Sequence, residues 1–135
     1  MDASQRHLVQ RGNAWFLLVA SGLGFANDIR GVFFGEGPVA KVVHMAPHSG
    51  IGFIEAHGLA FILGALLYGN APSRMWHATG AGIHLLLGAS NLACWPLFAA
   101  ADMLVVGYVT TALHGVFFVL QSLAAGVSRP QLARR

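Results

Sequence analysis

Residues 50–69 read Gly-Ile-Gly-Phe-Ile-Glu-Ala-His-Gly-Leu-Ala-Phe-Ile-Leu-Gly-Ala-Leu-Leu-Tyr-Gly, with Glu55 and His57 the only ionisable breaks before Tyr68 in an apolar and small-residue run. A helix rises about 1.5 Å per residue and a bilayer core is about 30 Å thick, so roughly 20 such residues cross it. Three further stretches share this character, about 14–31, 75–95 and 103–127. The first is the weakest, because Asn27, Asp28 and Arg30 stand at its far end. Composition points the same way. Of 135 residues, 56% are hydrophobic and 10% charged, against roughly 25% charged in soluble domains. A soluble domain this short has too little interior to hide that much apolar surface, and a hydrocarbon solvent removes the difficulty. The expectation is an all-α, integral membrane four-helix up-down bundle, with residues 1–135 forming a single transmembrane domain.

The net charge of +3 does not describe a nucleic-acid binder, since the basic residues form no stripe. They gather in the tails and one short loop, as the positive-inside rule requires. With four spans, one side holds Arg6, Arg11, Arg74, Arg129, Arg134 and Arg135. The other holds Arg30 and Lys41, offset by Asp28, Glu36 and Asp102. Both termini are therefore expected in the cytoplasm, and the protein in a bacterial inner membrane. The tail 129–135 suits a stop-transfer role or contact with anionic lipid. The first apolar stretch, preceded by Arg11, also fits a cleaved signal peptide, but its removal would leave three spans and break the charge bias. The single cysteine, Cys94, gives no internal disulfide.

Pro72 within 70–74 marks a short turn, and 96–102 a second. Short links make neighbouring helices antiparallel. The link 32–49 is longer, carries Gly35, Gly37, Pro38 and Pro47, and contains an apolar part, 39–45, suited to the interface. An internal repeat is visible: His57-Gly58 with Phe61 and Leu63 matches His114-Gly115 with Phe118 and Leu120, continuing at Leu66 with Leu123 and Gly69 with Gly126. Residues 23–27 faintly echo 87–91. Two similar helical hairpins would produce this pattern, and so would chance between low-diversity segments.

Residues seven apart share nearly one helix face. Each span carries a small or polar set at that spacing: Ala14, Ser21, Asp28; Gly50, His57, Gly64; His77, His84, Asn91; Gly107, His114, Gln121. With Leu, Val, Ile and Phe facing lipid, these seams are expected to face inward. His57, His84 and His114 fall within about one helical turn of one depth. Glu55 points to another face than His57, toward a neighbouring helix or the headgroups.

Ionisable residues inside a membrane are functional candidates by default, and imidazole ligates both metals and haem. The first expectation is therefore a site for haem b, serving electron transfer or sensing, or for Cu or Zn. His57 and His114 would be the ligands, because the repeat makes them equivalent, with His84 as the third member. Glu55, Asn91 and Gln121 would support it or line a path. Other readings are a proton or solute transporter protomer, and a non-catalytic subunit or homo-oligomer whose histidines only hydrogen-bond between helices. His44 and His48 read as loop residues, since Pro47 disfavours a helix aiming both one way. His77, beside Arg74 and Trp76, reads as an interfacial anchor, and Trp15, Trp76 and Trp95 as an aromatic belt. No CxxC pair, haem-attachment motif, phosphate loop or nucleophile elbow is present, so no enzyme class is indicated.

Overall fold

The computed structural model describes residues 1–127, and these are helical without strands: α1 (Ala3–Phe34), α2 (Pro38–Met45), α3 (Ser49–Gly69), α4 (Arg74–Ala93), α5 (Trp95–Ala100) and α6 (Leu104–Val127). The basic tail 129–135 lies outside the described residues. Three of these helices, α1, α3 and α6, are long and apolar enough to cross a membrane. This is a membrane protein by that criterion. α4 matches α3 closely in length, but Arg74, His77, His84, Ser90 and Asn91 lower its hydropathy. Its polarity is inward: His77 and His84 are fully buried.

α1 starts well before the apolar stretch that signals it. Asp2 caps it, accepting from the Gln5 amide at 2.8 Å, while the Asp2 amide donates to Gln5 Oε1 at 2.9 Å. That reciprocal box satisfies two otherwise orphaned donors. The added turns bring Gln10 and Asn13 into the interior. α1 ends at Gly35, whose φ of 68° is the left-handed conformation that glycine takes without steric cost. Ser73 caps α4 by accepting from the Trp76 amide.

Two segments expected as plain connections are helical. Residues 38–45 form α2, which buries Val39 and Val42, and Gly31 allows this contact because a Cβ there would stand 2.6 Å from Val39 Cβ. Residues 95–100 form α5, and Asp102, at φ 58°, turns the chain into α6. Lys41 and Asp102 join these two short elements through an ion pair. The ammonium beside it holds the Asp102 carboxyl below the usual carboxylate range, by hydrogen bonding first and charge second.

The main packing is pairwise, α1 on α3 and α4 on α6, with α1 also touching α4 and α6, and α3 touching α4. Both pairs are antiparallel. Gln10 reaches Leu67 while Asp28 reaches His57; His77 meets Gln121 while Asn91 meets Thr110. Small residues permit close approach: a Cβ on Gly64 would stand 3.0 Å from Leu17 Cβ and 3.1 Å from the Leu18 amide. The apolar core is small, Ala14, Leu17, Ala60 and Leu67, with Phe16, Trp76, Ile83 and Leu87 against it. Large side chains such as Leu23, Ile51, Leu59, Leu86 and Val105 face outward. An apolar outside and a polar inside invert the arrangement of a soluble bundle. Trp15 packs edge-on against Tyr68, whose ring also carries the Arg11 guanidinium at 4.2 Å.

Candidate functional site

The interior holds a line of polar side chains where a soluble bundle would place leucines: Gln10, Asn13, Ser21, Asp28, His77, His84, His114 and Gln121 are all buried. Those on α1, α4 and α6 include members of the seven-residue seams, so helix periodicity alone carries them inward.

At the centre, His84 Nδ1 and His114 Nδ1 lie 2.9 Å apart, and His84 Nε2 lies 2.5 Å from Asn13 Oδ1. The amide oxygen can only accept, so His84 Nε2 carries a proton. In a neutral ring its Nδ1 then accepts, and His114 Nδ1 donates. Aromatic rings enclose the pair. Phe117 stacks on His84 at 5.1 Å, and Phe16 stacks on Phe117 at 5.1 Å while meeting His114 edge-on at 5.7 Å.

Toward the end holding the 70–73 connection, His77 Nδ1 donates to Gln121 Oε1 at 2.6 Å. Gln10 Nε2 donates to the carbonyls of Leu67 and Asn70 at 2.9 and 2.8 Å, closing the end of α3. Toward the α2 end, His57 Nδ1 meets Asp28 Oδ2 at 2.5 Å, with the Asp28 side chain buried and His57 half-exposed. Gly24 makes this pairing possible, because a Cβ there would stand 2.6 Å from the imidazole. Asn91 donates to Thr110 Oγ1, which in turn donates to the Val106 carbonyl.

Of the three histidines expected at one site, His84 and His114 are in direct contact. His57 is bonded to Asp28 instead and packs on Gly24, eleven residues along α1 from the Asn13 that bonds His84, so it stands toward the α2 end and not beside the His84–His114 pair. Among the described residues, no three His, Cys, Asp or Glu side chains are grouped as they would be around a metal ion. Glu55 is exposed on α3, while Asn91 and Gln121 each bond a neighbouring helix. His44 and His48 are exposed at the ends of α2 and α3. His77 is no interfacial anchor. It is fully buried, because α6 presents Gln121 opposite it.

Sequence reasoning passed over Gln10 and Asn13, which precede the apolar stretch, and the pairing role of Asp28. The His77–Gln121 contact was within reach. In antiparallel helices, a contact between His84 and His114 carries residues seven back on one and seven onward on the other together. The repeat does not extend to the partners: its α1-to-α4 offset of 64 places Ala20 against His84, so His57 and His114 hydrogen-bond different chemistry. No protein family, no curated protein and no solved structure matches the chain.

Proposed function

We propose that this chain relays protons along its buried histidine and amide line, as a small proton or solute transporter protomer. In this reading α4 crosses the bilayer with α1, α3 and α6 as an up-down bundle of two hairpins. The termini are cytoplasmic, in a bacterial inner membrane. The observation that supports it most is the His84–His114 contact at 2.9 Å with Asn13 bonded behind it. An imidazole can accept a proton on one nitrogen and release one from the other, so linked rings pass a proton without the side chain travelling. Chains of His and acidic residues in membranes commonly have this role. Asp28–His57 stands toward one end of the line and His77–Gln121 toward the other.

Purified protein in liposomes, loaded with a pH-sensitive dye and driven by a potassium diffusion potential, tests this. Proton entry should exceed that of protein-free vesicles and fall at least about tenfold in His84→Phe and His114→Phe. Wild-type entry no greater than the lipid leak would refute the relay.

A second reading keeps haem b, Cu or Zn, with His57 and His114 as the ligands and His84, both of whose nitrogens are engaged, orienting His114. It is favoured by one feature: with its Nδ1 proton given to His84, a neutral His114 keeps its lone pair on Nε2, the form in which imidazole ligates a metal. A visible spectrum and metal analysis of the detergent-purified protein decide it. A Soret band or bound metal lost on replacing His57 or His114 supports this reading. A colourless, metal-free protein sinks it, and a stoichiometric co-purifying membrane protein favours a subunit role.

A further inference from the structure

Arg11 is a fixed cation with no carboxylate beside it. Its Nη1 donates at 2.7 Å to the carbonyl of Tyr68, one of the last carbonyls of α3, which have no intrahelical partner. The guanidinium carbon lies 4.2 Å from the centre of the Tyr68 ring, and Trp15 braces that ring edge-on at 5.6 Å. Closing α3 takes one of the five N–H groups that an arginine carries. The opposite edge, formed by Nε and Nη2, bonds none of the described residues.

The sequence holds five acidic side chains, Asp2, Asp28, Glu36, Glu55 and Asp102. Asp2 stands nine residues earlier on α1, about 14 Å along the axis, and its carboxylate accepts from the Gln5 amide. Asp28 is 17 residues onward on α1, about 26 Å, and Glu55 is 13 residues from Tyr68 on α3, about 20 Å. Glu36 pairs with Arg30 and Asp102 with Lys41, at the other end of the helices. The anion that balances Arg11 therefore comes from elsewhere.

Its level in the membrane narrows the source. The apolar stretch of α1 begins at Ala14 and α3 ends at Gly69, so Arg11 and Tyr68 stand where hydrocarbon gives way to headgroups. Trp15 and Tyr68, both exposed, are the residue types that favour this boundary. Phosphate is the anion that a bilayer supplies here. Two parallel N–H groups on one guanidinium edge match two phosphate oxygens, and a lysine ammonium does not reproduce this fork. A side chain already held by a carbonyl and a ring loses little further freedom on binding.

We propose that Arg11, held by Tyr68 and Trp15, is a binding site for the phosphate of an anionic phospholipid, taken through the Nε–Nη2 edge. The site is independent of the relay and of any metal.

The test uses full-length protein with nitrogen-15 arginine in phosphatidylglycerol bilayers, and measures dephasing of the guanidinium nitrogens by lipid phosphorus. The Arg11 signals, identified by their loss in Arg11→Lys, should dephase strongly, and less in phosphatidylcholine, whose headgroup carries its own cation. Native mass spectrometry from mild detergent then measures retained phosphatidylglycerol. Its affinity should fall at least about fivefold in Arg11→Lys, which keeps the charge and loses the fork. Tyr68→Leu, which removes the ring and keeps the backbone carbonyl, should weaken it in the same direction and replaces Arg11→Lys if that variant does not fold. Arg74→Lys, at the same end of the bundle, should leave it unchanged. Absence of dephasing at Arg11 in the wild type overturns the site. Equal dephasing in phosphatidylcholine overturns the preference for anionic lipid. Affinity that survives both Arg11→Lys and Tyr68→Leu, or falls equally in Arg74→Lys, assigns the lipid to general positive charge and overturns the role of Arg11. Displacement of the lipid by inorganic phosphate at equal concentration assigns the site to the free anion and overturns the lipid.

Discussion

His84 receives a hydrogen bond on Nδ1 from His114 and gives one from Nε2 to Asn13, at 2.9 and 2.5 Å. Because the Asn13 oxygen accepts only, the two neutral rings are held in opposite tautomers, and three helices are joined through one imidazole. Nitrogen-15 spectra of histidine-labelled protein should therefore show the proton on Nε2 of His84 and on Nδ1 of His114. The same tautomer in both rings would contradict the arrangement.

The Asn13–His84 bond should be measurable as a coupling. Hydrogen bonds between helices in membranes average about 0.6 kcal/mol, and an orphaned buried imidazole donor adds about 1–3 kcal/mol. Asn13→Leu is expected to destabilise by about 1–3 kcal/mol in reversible denaturation. A double-mutant cycle with His84→Phe should return a coupling of about 0.5–1.5 kcal/mol.

Glycines of equal chemistry should respond in opposite directions. Gly24→Ala places a Cβ 2.6 Å from the His57 ring, which must swing away and release Asp28, at a cost of about 1–3 kcal/mol. Gly12 has open space around it, so Gly12→Ala should be neutral or stabilise by up to about 1 kcal/mol through helix propensity. Unfolding midpoints of the two variants check the contrast.

Accessibility separates the histidines without functional assay. Diethyl pyrocarbonate in mild detergent should modify exposed His7, His44 and His48 and spare His77 and His84. Peptide mass spectrometry reads this directly. Rapid labelling of His77 would restore it to the interface.

The Lys41–Asp102 pair is expected to lose its effect only in acid. The folded Asp102 pKa is depressed, so its contribution is complete above the unfolded value of about 4 and is lost as pH falls through the lower folded value. Lys41→Gln should raise the Asp102 carboxyl toward its ordinary range, as measured by carbon-13 titration. An unchanged titration would show that the pair does not hold α2 to α5 in solution.

Periodicity carried the reading of the long helices and of the buried seams, because a helix repeats on its own geometry and needs no partner to define its faces. Residues 50–69 announced a span, and α3 runs Ser49–Gly69. The seam Ala14, Ser21 and Asp28 is buried. Less was legible where polar residues lie inside a helix that lipid alone would reject. Gln10 and Asn13 looked like tail, and His77 like an anchor, because hydropathy counts a polar side chain against burial whether or not a partner awaits it.

Length, composition and spacing by themselves determined an all-helical chain with membrane-crossing stretches and with His84 and His114 facing inward. Which imidazole meets which group was decided by the tertiary structure alone. Three histidines can converge only if their helices are adjacent, their faces aligned and their levels matched. Here Gly24 lets α1 close on His57 so that Asp28 takes it, and α4 and α6 bring His84 and His114 together. Depth is a property of one helix, and partnership depends on the distance and rotation between two. The residues 50–69 fix the first and leave the second to the packing around them.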